Sequence, residues 1–126
     1  MAEQKRILII EDGPFNAIDI AQSARDAGYE VTGVVLSGEE AVELANPDRP
    51  DLVLTGIGFS GDMNGRDAAL EIRKLYGTSV IFVSAYGDAK HAEVAKLNAP
   101  ADVGYLVKPF KNSDLLAEIE RVLFSE

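Results

Sequence analysis

The sequence predicts an α/β domain built on a doubly wound parallel sheet, and three observations predict it. Five short apolar runs are spread along the chain: RILII (6–10), EVTGVV (30–35), DLVLTG (51–56), SVIFVSA (79–85) and VGYLVK (103–108). The first, third and fourth are nearly continuous in Ile, Leu, Val and Phe, which is how strands buried on both faces read. Between the runs lie stretches whose apolar residues recur at helical spacing, and strict strand–helix alternation folds most economically as parallel strands with right-handed crossovers.

Each element has its own signals. The first helix is expected over about 15–27, with Gly28 as its C-terminal stop. Pro14 precedes it, and Phe15 is placed to staple it to the core. The second opens at SGEE, where Ser37 caps and Glu40 answers three residues later, and is expected to end before Pro47 and Pro50. The third, GRDAALEIRKLYG, sets Ala69, Ile72 and Leu75 with Tyr76 on one face and stops at Gly77. The fourth, about 88–97, is rich in Ala and weakly amphipathic. The fifth follows KNSD, with Asn112 or Ser113 as cap, and LLAEIERVL carries its apolar face.

The 126 residues suit one domain, 1–126, able to bury roughly two-thirds of its unfolded surface. Twelve basic residues against twenty-one acidic ones give a net charge of −9. That charge opposes direct binding to nucleic acid, where affinity comes mainly from Lys and Arg. The absence of cysteine excludes disulfides, thiolate metal sites and Cys nucleophiles. After Lys5 and Arg6 only four apolar residues run before Glu11, too few for a signal-peptide core, and no run approaches a membrane span. A soluble, cytoplasmic domain with no membrane partner is the expectation.

Ligands of such sheets sit beyond the carboxyl ends of the strands. There the sequence has Glu11 and Asp12 after strand 1, Gly56-Ile57-Gly58 after strand 3, Ser84-Ala85 after strand 4 and Lys108-Pro109 after strand 5. Paired carboxylates suit Mg²⁺, a hard ion that seeks oxygen. A hydroxyl and an ammonium suit the oxygens of a phosphoryl group. No nucleophile–base pair can be assembled from these ends, so the chain is not expected to be an enzyme.

In order and spacing, ED (11–12), PDLVL (50–54), GDMNG (61–65), SA (84–85) and GYLVKPF (104–110) resemble a response-regulator receiver domain of two-component signalling. The resemblance implies a flavodoxin-like five-stranded sheet in the order 2-1-3-4-5 with helices on both faces. It implies Mg²⁺ ligation by Glu11, Asp12 and the backbone carbonyl of Gly58, and contact of Ser84 and Lys108 with a phosphoryl group. A cis Lys108–Pro109 bond and a switch role for Tyr105 follow from it as well. Gly56 falls on the family's phosphoacceptor aspartate, and Ser60-Gly61 replaces a proline-containing turn found in many members.

Glycine offers no carboxylate, so the expectation is a pseudo-receiver that is not phosphorylated at the usual position and acts by protein–protein contact. Mg²⁺ binding is expected to be weak, with Lys108 leaning on Glu11 or Asp12. Two alternatives stay within the family: a working receiver with Asp62 as substitute acceptor, or an ordinary receiver carrying an introduced change at Gly56. His91, the one histidine, reads as an exposed helix residue. The partners implied are a histidine kinase or another signalling protein. Self-association is expected through helix 4, strand 5 and helix 5, where Tyr86, Val94, Leu97 and Tyr105 stand among Lys90, Lys96 and Lys111. From another class, a flavin electron carrier needs a Ser/Thr-rich phosphate loop where EDGPFN stands, and a cobalamin module needs a histidine motif that is missing.

Overall fold

The structure, a computed structural model, describes residues 4–11, 14–56, 65–84 and 100–124. Strands β1 (Arg6–Ile10), β2 (Glu30–Val35), β3 (Leu52–Gly56), β4 (Ser79–Ser84) and β5 (Val103–Val107) form one parallel sheet ordered β2-β1-β3-β4-β5, as expected. Helices α1 (Pro14–Asp26), α2 (Gly38–Asp48) and α3 (Gly65–Tyr76) and a C-terminal helix (Asn112–Leu123) accompany it. The expected helix over 88–97 falls outside the described residues.

Alternation along the buried strands divides the core in two. Ile7, Ile9, Leu54, Ile81 and Val83 pack against Ile20 and Ala24 of α1 and Leu115, Ile119 and Val122 of the C-terminal helix. Leu8, Ile10, Val53, Val80 and Phe82 pack on the other face against Ala41 and Ala45 of α2 and Ala68, Ala69 and Ile72 of α3. Continuous apolar runs are what a sheet with two covered faces requires.

Three expectations are corrected. Helix α2 does not end before Pro47 but carries it in its last turn, where a missing N–H costs one backbone bond. Arg49 ends the helix instead, in the left-handed region at φ 45°. Its N–H donates to the Ala45 carbonyl at 2.8 Å, and its guanidinium lies 4.3 Å from the Tyr76 ring centroid. Leu75 is not on the buried face of α3 but 53% exposed, because Ala68, Ala69 and Ile72 define that face and Leu75 falls beside it. The C-terminal helix is capped one residue earlier than expected: Lys111 is the cap, and its N–H donates to Asp114 Oδ2 at 3.2 Å. Gly28 (φ 98°) and Gly77 (φ 70°) do stop their helices, in backbone that L side chains rarely adopt.

Strand β5 is an edge strand, and the C-terminal helix takes up two of its main-chain groups, the Tyr105 N–H and the Val103 carbonyl. Glu118 Oε2 accepts from the Tyr105 N–H at 2.9 Å. Arg121 donates to the carbonyls of Ala101 (3.2 Å) and Val103 (3.3 Å) while paired with Glu118. The Glu118 carboxylate reaches the strand by crossing Gly104, where a Cβ would meet Glu118 Oε2 at 2.6 Å.

At the opposite end of the strands, Arg73 of α3 binds Asp102 with both nitrogens, at 2.7 and 2.9 Å, and joins that helix to the entry of β5. Donation from Arg73 holds the Asp102 carboxyl below the usual aspartate range. A lowered native value stabilises the fold above the ordinary carboxylate range, and the gain is lost as pH falls through the lowered value. Asp102→Asn is therefore expected to cost about 1 kcal/mol at pH 7, a modest figure because the pair is partly solvated. Thermal melting of both proteins from pH 7 downward checks this, and the two melting curves should converge at acid pH.

Candidate functional site

Register brings the strand ends level. Ile10 stands beside Thr55, Gly56 beside Val83, and Ser84 beside Val107. Glu11 and Lys108 are the residues that follow β1 and β5, so Glu11, Gly56, Ser84 and Lys108 lie along one carboxyl rim. The Glu11 N–H donates to the Val35 carbonyl at 3.0 Å, extending the β1–β2 ladder past the strand and pinning the Glu11 backbone. Buried Thr55 donates its hydroxyl to the Gly56 carbonyl at 3.0 Å. The Lys108–Pro109 bond is cis, as expected.

The Glu11 carboxylate is almost wholly buried, with its side chain 4% exposed, and Lys108 Nζ lies 3.5 Å from Oε2. A carboxylate removed from water needs compensating positive charge, and the ammonium supplies it. The expected lean of Lys108 on the acidic pair is thus seen at Glu11. Lys108 also lines a groove of about 510 Å³ between α1 and the start of the C-terminal helix, with Asp19, Gln22, Ser23, Phe110 and Leu115. Tyr105 is half-buried, its ring 5.4 Å from that of Phe82 at 33°.

Asp12, Gly58, Asp62, Tyr86, Lys90, His91, Val94, Lys96 and Leu97 lie outside the described residues, as do the side chains of Phe15 and Ser84. Glu11 has the oxygen chemistry that a hard divalent ion takes. Among the described residues no cluster of three or more His, Cys, Asp or Glu could hold a metal, so Asp12 and Gly58 would have to complete the set. Sequence reading passed over the Glu118–Arg121 pair and Gly104. An isolated glycine inside a strand pattern was the available signal, since it marks close approach of another group.

A parallel sheet in this order, with an acid and a lysine meeting across its carboxyl rim, defines a receiver domain of two-component signalling. The chain belongs to that family: the sequence model of the response regulator receiver domain matches residues 7–120. It is 39% identical over 119 residues to the transcriptional regulatory protein PdtaR of Mycobacterium tuberculosis, covering 94% of this chain and 57% of that one. It is 33% identical over 118 residues to the chemotaxis protein CheY of Thermotoga maritima, covering 94% of this chain and 97% of that one.

Among solved structures, the receiver (REC) domain of the PhyR response regulator from Erythrobacter litoralis superposes with a TM-score of 0.82 at 27% identity, covering 98% of this chain and 92% of that one. The chain thus spans little more than half of PdtaR and nearly all of CheY. Receiver domains are signalling modules that engage kinases or other signalling proteins and typically bind Mg²⁺ at an acidic site. Membership sets the flavin-carrier and cobalamin readings aside. Among the described residues no helix is long and apolar enough to cross a membrane.

Proposed function

We propose that this receiver domain, 1–126, is a pseudo-receiver: it keeps the binding rim of the family and signals by protein–protein contact without taking a phosphoryl group at the usual place. The observation that carries the reading is Gly56, which closes β3 level with Val83 and so stands between the ends of β1 and β4. By resemblance this is the acceptor position, and glycine has no oxygen to accept with. The Glu11–Lys108 pair supports it, since the ammonium turns to the acid after β1, and Gly56 offers it no carboxylate.

In this reading Glu11, Asp12 and the Gly58 carbonyl hold Mg²⁺, weakly for want of a third carboxylate. Bound there, the ion supplies positive charge that steadies phosphoryl oxygens. Ser84 and Lys108 are the protein's own contacts to such a group, and Tyr105 is the switch aromatic. A cytoplasmic histidine kinase or another signalling protein is the partner. A second copy would dock on β5, the C-terminal helix and the region over 88–97.

Intact mass after incubation with Mg²⁺ and acetyl phosphate tests the proposal. The native chain is expected to gain nothing, and Gly56→Asp one phosphoryl group. A gain by the native chain overturns the reading and directs peptide mapping first to Asp62.

A further inference from the structure

We propose that the upper half of the β2 border, with the flank of α1 above it, docks an extended partner segment in which apolar and basic side chains alternate. Gly56 and the carboxyl rim play no part in this contact.

Of the six large apolar side chains that stand exposed among the described residues, three belong to this corner: Ile18 at 64%, Leu36 at 58% and Val34 at 40%. Val34 is level with Ile9, whose face of the sheet α1 covers, so Val34 lies on the α1 side of the outermost strand. Leu36 follows two residues on, at the carboxyl end of the strand. In α1, Asp19, Ile20 and Ser23 line the groove toward the C-terminal helix, which turns the opposite flank, with Ile18, out over β2. Apolar side chains clustered on the surface of a chain of net charge −9 mark a place of contact.

The strand itself is open here. Val35 turns its carbonyl to the Glu11 N–H, so by alternation the main-chain groups of Val34 face away from β1. Lower down, Thr32 is an extra residue between the pairs Ile7–Val31 and Leu8–Gly33, a bulge of the kind that guards sheet edges. Above it Gly33, Val34 and Val35 run level with Leu8, Ile9 and Ile10, so the guarded half ends where the apolar side chains begin.

The other face of the border is acidic. Leu44 of α2 lies over Gly33, where a Cβ would meet its Cδ2 at 2.7 Å. Glu40, one turn before Leu44, therefore borders β2 as well, and Glu43 stands beside it; both are exposed. A strand added along Val34 points successive side chains to opposite faces. Those on the α1 side meet Ile18, Val34 and Leu36 and are apolar. Those on the α2 side meet Glu40 and Glu43 and are Lys or Arg.

A hexapeptide of alternating lysine and valine, titrated into the ¹⁵N-labelled full chain, tests this. It is expected to shift the amide signals of Val34 and Leu36 and to slow exchange of the Val34 amide with solvent. A hexapeptide with its lysines in one block and its valines in another carries the same charge and is expected to bind about tenfold more weakly. Ile18→Asp and Leu36→Asp, both at exposed positions outside the core, should each abolish the shifts. Glu40→Lys with Glu43→Lys should transfer the preference to alternating glutamate and valine. Equal binding of the two lysine peptides would show attraction to net charge alone and overturns the proposal, as do unmoved amides. Shifts of the same amides when the chain is concentrated without peptide assign the border to a second copy and overturn it too.

Discussion

Ile119→Ala is expected to lower the free energy of unfolding by about 3–4 kcal/mol, the range for truncating a fully buried branched side chain where the cavity closes only in part. Ile119 is 0% exposed and sits in the core between the C-terminal helix and the β1, β3 and β4 faces, with Ile9, Leu54 and Ile81. The helix hangs on three such residues, Leu115, Ile119 and Val122. A urea midpoint shifted downward with unchanged slope would show a pure stability loss. A cost under about 1 kcal/mol would mean that the site collapses around the deletion and that the helix is held by its polar contacts instead.

Gly104→Ala is the second large effect, expected at about 2 kcal/mol, within the range for inserting a methyl group where none fits. Its Cβ would lie 2.6 Å from Glu118 Oε2 and 2.8 Å from Val122 Cγ2. The carboxylate can swing away, but then the Tyr105 N–H loses its acceptor. Val122 is stiff at χ1 and buried in the helix–sheet core, so it yields less easily. Urea denaturation measures the loss, and the amide of Tyr105 should exchange faster with solvent. Glu118→Ala should cost less in the Gly104→Ala background than in the native chain, because the bond to Tyr105 is already gone there and the pair with Arg121 is what remains to be lost.

The fold was legible because β1, β3 and β4 carry runs that only a doubly covered sheet explains, and because Gly28 and Gly77 mark helix ends by a backbone need. Leu75 misled because an apolar residue at near-helical spacing can still sit just off the buried face, and single exposed leucines are ordinary. Pro47 misled because proline is disfavoured inside a helix by the loss of one bond, but here it stands in the last turn of α2, two residues before the helix ends at Arg49.

Of the candidate site, Glu11 and Lys108 could be named from strand ends alone, and their meeting follows from parallel register. The contact of Glu118 with Tyr105 could not. It joins a helix to a strand edge thirteen residues away, across a glycine whose only sequence trace is a missing side chain.

The covered side of β5 has a consequence for assembly. Stacking of sheets end to end into a fibre needs two open borders on every molecule, one to receive and one to offer. Glu118 and Arg121 obstruct one border in each copy by occupying the Tyr105 N–H and the Val103 carbonyl. Pairing of two copies along the other border, β2, about a two-fold axis would use that border in both and leave only the obstructed one for growth.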